Sequence, residues 1–219
     1  MTEANDERSL VDRITDALAK RIVTGRLAAG APLRQDHVAT EFNASHVPVR
    51  EAFRRLEARG LVRSEPRRGV RVTAMDAASI LELSEMRAVL EVLALRHAMQ
   101  NLTDEDLSAA ETALVTGEVS DELEIWDIAN RHFHRALVTP CGMPRLLAAI
   151  DDLHEAGARF LYATWQTFER QSATDALEHR AILAAACSGN QEEACFLLHT
   201  HIVTAGQALA RYVAPFRTP

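Results

Sequence analysis

Cysteine is scarce in this 219-residue chain: Cys141, Cys187 and Cys195 form no CxxC pair, and any pairing leaves one over. Free thiols in a reducing compartment account for that better than a disulfide framework or a zinc knuckle. Long apolar runs are absent too. No stretch approaches the roughly 20 residues needed to cross a bilayer, and the opening MTEANDERSL is polar where a secretory leader would be apolar. A cytoplasmic protein with no membrane association is expected. No HExxH, nucleophile elbow or glycine-rich phosphate loop occurs, so an enzyme is not expected.

Hydrophobic residues at 47% and charged residues at 25% are ordinary for a globular protein long enough for two small domains. The net charge of −7 conceals an asymmetry. Residues 1–75 hold 14 Lys/Arg against 10 Asp/Glu, while the remainder holds 10 against 21. Within 46–75 the balance is eight to three, and all eight cations are arginine. A basic N-terminal domain (1–75) and an acidic C-terminal one (76–219) suggest different partners, nucleic acid for the first.

From Leu10 to Ile22 the apolar residues recur at three- and four-residue spacing, the stripe of an amphipathic helix. Gly25 and Gly30 punctuate its end, Pro32 reads as a turn, and a short helix is predicted from Gln35 to about Phe42. Asn43 suits the left-handed residue that closes it. Ser45 is then a candidate N-cap and Pro48 falls in a first helical turn. Val49, Ala52, Phe53 and Leu56 form a buried stripe that leaves Arg50, Arg54 and Arg55 outside. Two helices, a tight turn and arginines near the start of the second make a helix-turn-helix, whose second helix enters the major groove. After Gly60, strands are predicted at 61–64 and 70–73 around a turn tipped by Arg67, Arg68 and Gly69, which is a wing.

Beyond residue 76 the periodicity is helical throughout. Six helices are predicted, over about 77–99, from 103, and over 122–138, 144–168, 172–187 and 191–212, forming an all-α bundle with room for an internal pocket. The fold class is therefore mainly α, a winged helix-turn-helix followed by a helical bundle. Seven of the nine histidines lie in the bundle. His134 follows Asn130 by four residues on one helical face, and His179 and His201 lie on the last two helices. Neutral imidazoles converging from three helices suit Zn²⁺ or Ni²⁺, although helical histidines are commonly surface or hydrogen-bonded core residues. His97, His132, His154 and His199 are read in that second way. The bundle is open to being a mainly dimerising module as well as a sensing one.

Residues 10–73 resemble the winged helix-turn-helix of the GntR family of bacterial repressors, through S-x-x-P-V-R-E-A-x-x-x-L-E-x-x-G-L-V at Ser45 to Val62 and the wing glycine Gly69. The resemblance implies operator contacts from Ser45, His46, Arg50, Arg54 and the wing tip Arg67–Gly69, with Arg34 from the preceding helix. His46 stands where the family usually has arginine. Residues 77–213 resemble the FCD ligand-binding domain of the FadR subfamily, through Glu85–Glu91, Asn130–Leu137 and Glu178–Leu183. That implies a divalent metal held by Asn130, His134, His179 and His201. Asn130 replaces the usual aspartate, so a weaker site is expected, with Asp127 one turn earlier as a partial substitute. Arg87 would pair with the carboxylate of a small organic acid, its planar fork matching that group. The implied protein is a homodimeric, ligand-responsive repressor on a double-stranded, pseudo-palindromic operator.

Overall fold

The computed structural model describes residues 9–73, 76–120, 122–164 and 172–213. The chain divides into two compact units, Met1–Met75 and Asp76–Pro219.

In the first unit, α1 (Leu10–Val23) starts at a capping box in which Ser9 and Asp12 satisfy each other's backbone N–H. α2 (Gln35–Glu41) and α3 (His46–Ala58) are joined by the expected left-handed Asn43, φ 48°. The stripes of α1 and α3 meet in a core of Ile14, Leu18, Val49, Phe53 and Leu56, to which Leu61 adds. β2 (Val62–Glu65) and β3 (Gly69–Val72) pair antiparallel, each displaced one residue from the predicted strand. The register is anchored by Val62 opposite Val72, both buried, and closes at Glu65 opposite Gly69. Arg67 (φ 64°) and Gly69 (φ 76°) supply the left-handed conformations that turn the wing. Pro32 was expected in a turn; instead Pro32–Leu33 forms β1, a third strand along β3. Proline has no N–H to give a ladder and is suited to such an edge, but two residues carry no readable period.

The second unit contains, among the described residues, six α-helices: α4 (Ala77–Ala98), α5 (Asp104–Val119), α6 (Leu123–Val138), α7 (Pro144–Thr164), α8 (Ser172–Cys187) and α9 (Gln191–Val213). A 3₁₀ turn at Thr139–Cys141, unforeseen, ends on left-handed Gly142. The predicted extension of α7 to Phe168 lies outside the described residues. Asp76 caps α4, and a Thr103/Asp106 capping box starts α5. The core gathers Ala88, Leu95, Phe133, Leu137, Ile182, Leu198 and Ile202 from four helices. No described helix is long and apolar enough to cross a membrane.

α4 and α9 run antiparallel: Gly206 lies against Ser84, and the Cys195 thiol approaches the Val92 carbonyl at 4.0 Å. A Cβ added at Gly206 would overlap both Oγ and Cβ of Ser84, and a hydroxyl rotation cannot move the latter. Helix propensity alone favours alanine by about 1 kcal/mol, whereas overpacking costs about 1–3 kcal/mol. Gly206→Ala is therefore expected to lower the melting temperature. An unchanged or raised value in thermal denaturation would show that the two helices separate without strain.

Candidate nucleic-acid interface and candidate metal centre

Ser45 begins α3 in extended backbone, and its side chain makes no capping hydrogen bond. Ser45, His46 and Arg50 are exposed on the first turns of α3, as is Arg54, which lies 3.8 Å from Glu51. His46 approaches Asp36 at 3.6 Å, and its carbonyl accepts from Gln35 Nε2 at 3.0 Å, tying α2 to the start of α3. Arg34, Arg67, Arg68 and Gly69 are exposed as well. The remaining arginines behave differently. Arg55 pairs with Asp12 at 2.5 Å, Arg63 with Glu65 at 2.7 Å, and Arg71 donates to the Gly30 carbonyl at 2.9 Å. The basic count of the segment thus separates into structural arginines and outward ones. The sequence reading missed Val47, 64% exposed beside His46, a methyl-bearing surface where a reading helix meets base edges.

In the second unit the histidines of three helices meet. His134 (α6), His179 (α8) and His201 (α9) are all buried, and each offers a ring nitrogen within 4.8 Å of the others'. The His179 and His201 rings are 4.3 Å apart, and those of His134 and His201 stack at 5.5 Å. A fully buried carboxylate, Glu91 on α4, accounts for the orientation of His134: Oε2 lies 2.6 Å from its Nδ1. Oε1 of Glu91 lies 3.0 Å from both His154 Nε2 and Arg87 Nε. Burial opposes the charge on Glu91, but His134, His154 and Arg87 together hold its carboxyl well below the usual range. An ionised Glu91 can only accept, so His134 Nδ1 carries the proton and Nε2 keeps its lone pair. Glu178 does the same for His201, with Oε2 at 2.7 Å from Nδ1. Carboxylates on the far nitrogens are the usual supports of metal-binding imidazoles.

The donor set fits a divalent ion. His134 Nε2 and His179 Nε2 are buried without a hydrogen-bond partner among the described residues, an arrangement that costs free energy unless something accepts those lone pairs. A second grouping, Glu91, His134 and His154, also has ligand-like spacing, but Arg87 at 3.0 Å already neutralises that carboxylate and would repel a cation. The three-histidine cluster is the better one. Asn130 is half-buried one turn before His134 and, with His179, Phe133 and Trp126, lines a cleft of about 320 Å³ that is partly open to solvent. Asp127, the suggested substitute, is buried with its carboxylate clasped by Arg131 at 2.6 and 3.2 Å, which removes it from the cluster. Of the histidines set aside from sequence, His97, His132 and His199 are exposed, whereas His154 is buried beside Glu91.

Burial holds His179 well below the ordinary imidazole value, and His201, His134 and Arg87 add to the shift; burial lowers His134 as well. Both rings are thus neutral, the form a metal requires. As pH falls through about 6.5 the unfolded chain takes up protons that the folded chain refuses, so stability falls with pH. Each group contributes at most about 1.4 kcal/mol per pH unit. Metal-free protein should therefore unfold at lower urea concentration at pH 5.5 than at 7.5, and His179→Gln should flatten that slope. An identical pH dependence in the variant would show that His179 titrates normally.

The bacterial regulatory proteins of the gntR family match residues 10–72, and the FCD domain family matches residues 82–204. The chain is 29% identical over 196 residues to the "Probable D-xylose utilization operon transcriptional repressor" of Paenarthrobacter nicotinovorans, covering 89% of this chain and 86% of that one. A GntR-family transcriptional regulator structure from Pseudomonas syringae pv. tomato is 30% identical, with a TM-score of 0.59, over 93% of this chain and 86% of the other. The Escherichia coli McbR/YncC structure shares the fold at 23% identity, TM-score 0.77, over 93% of this chain and 98% of that one. An exposed recognition-helix terminus and wing in one unit and a helical FCD bundle in the other have their counterpart in these proteins: the chain belongs to the GntR family and is a DNA-binding transcriptional regulator with an FCD domain.

Proposed function

We propose that this regulator is a repressor whose FCD domain binds a small organic acid together with a divalent metal ion, and that it acts as a homodimer on a pseudo-palindromic operator. The observation that carries the metal reading is the pair of buried, unpartnered Nε2 atoms of His134 and His179 beside His201. His134, His179 and His201 would hold the ion, with Asn130 as a neutral fourth donor from the cleft wall. The ion would supply a positive centre for ligand oxygens. Arg87 would take a carboxylate of the same ligand, although its Nε already lies 3.0 Å from Glu91. A ligand that uses Arg87 must therefore share it with that carboxylate. Repression is favoured by the relative whose name describes a transcriptional repressor. Ligand can alter operator affinity only by binding one arrangement of the protein better than another.

On the DNA side, Ser45, His46, Arg50, Arg54, Arg67, Arg68, Gly69 and Arg34 form the proposed contact set, read from their exposure on α3, the wing and the start of α2. Phosphate contacts by these cations would make binding fall steeply with salt.

Mass spectrometry of the native protein with added Zn²⁺ or Ni²⁺ should show one ion per chain, and none in a His134→Ala/His179→Ala variant that still folds. Equal loading of both would remove the metal reading. A screen of organic acids by thermal shift should give stabilisation that depends on the metal and is lost in Arg87→Ala. For DNA, an operator selected from random duplexes by the wild-type protein provides the probe. Arg50→Ala should weaken its binding by about 1–3 kcal/mol, roughly 5- to 150-fold, and undiminished affinity in gel shifts would refute the placement of α3.

A further inference from the structure

α4 has two faces with different occupants. One carries Arg87 and Glu91 toward the histidines; the other exposes Met86 (48%), Val89 (59%) and Leu93 (41%). At 100° per residue, Glu82, Glu85, Met86, Leu93 and Arg96 all fall within about 60° of the direction of Val89. Glu82, Glu85 and Arg96 are exposed too. The outer face of α4 is thus an apolar strip, acidic toward its N-terminal end and basic toward its C-terminal end. The helix dipole favours such charges only in the terminal turns, whereas Glu82 and Glu85 lie further in.

The strip is complementary to itself. Glu82 and Arg96 each stand seven residues from Val89, on opposite sides of it. If a second α4 is laid antiparallel about a two-fold axis through Val89, Glu82 of each copy faces Arg96 of the other, and the apolar centres coincide. At a crossing angle of about 20° these long side chains remain within reach of one another. A partner of single charge would be repelled by one end of the strip, so the charge order selects a second copy of this chain. We propose that the outer face of α4, centred on Val89, is the contact through which two copies of this protein pair. One helix pair buries less than the roughly 1,200 Å² of a stable interface, and α9 extends the patch. Phe196, 68% exposed, adjoins Cys195, whose thiol approaches α4 at Val92. This inference rests on the homodimer reading and specifies the surface.

The test uses the full-length chain. In a Cys141→Ser/Cys187→Ser background, Val89→Cys should form a covalent dimer under mild oxidation, because the axis brings the two thiols together. Leu177→Cys, exposed on α8, should not. Glu82→Arg and Arg96→Glu should each raise the dimer dissociation constant by about tenfold in sedimentation equilibrium. The double variant should restore it, and so should a 1:1 mixture of the two single variants, in which every cation again meets an anion across the axis. Circular dichroism confirms that each variant is folded. A wild-type dimer that neither cross-links through Val89→Cys nor responds to the charge reversals overturns this surface while leaving the homodimer standing. Wild-type protein that sediments as a monomer and binds its operator as a monomer overturns both. Intact dimers with lost DNA binding in the charge variants would assign the face to the chain's own N-terminal unit, and also overturn the proposal.

Discussion

A single carboxylate with no access to water organises the second unit. An unpaired buried anion is strongly destabilising, and removing one partner of a buried pair costs about 3–5 kcal/mol. Glu91 therefore requires its neighbours: Arg87 one turn before it, His134 from α6 and His154 from α7. Meeting that requirement fixes the tautomer of His134 and aims its second nitrogen at His179 and His201. The histidine cluster is in this sense a consequence of how α4 neutralises its own charge. Phe133, in ring contact with both His134 and His179, holds the same geometry from the apolar side.

The first unit is organised by apolar packing instead. α1 and α3 lock through Ile14, Leu18, Val49 and Leu56, and the charges remain outside. Its arginines divide by partner: those with an acidic residue or carbonyl in reach hold the domain together, and those at the start of α3 and on the wing do not serve that purpose. One fold thus supports two kinds of site, a rigid buried one and an exposed charged one, each as its task demands.

Much of this was legible in the residues themselves. The stripe at Val49, Ala52, Phe53 and Leu56, the left-handed Asn43 and the wing turn are local signals, and local signals survive in sequence. So were His134, His179 and His201, although only as part of a resemblance, because spacing does not reveal which rings converge. Glu91 and His154 were not legible. A glutamate on a helix is ordinarily solvated, and a histidine on an amphipathic helix ordinarily takes a surface or core role; their significance arises when α4, α6 and α7 meet. Strand β1 was lost for the opposite reason, too short at two residues to show alternation. The outer strip of α4 was obscured because that helix is apolar on most sides, so its sequence reads as fully buried.

The contact between Gly206 and Ser84 has a reach beyond its own stability. Ser84 stands two turns before Glu91 on α4, and Gly206 stands five residues after His201 on α9. The helices that deliver these two groups are held at the spacing that a glycine hydrogen permits. The calibre of the histidine cluster, and with it the range of ionic radii it can close around, is gauged by an atom outside the cluster altogether.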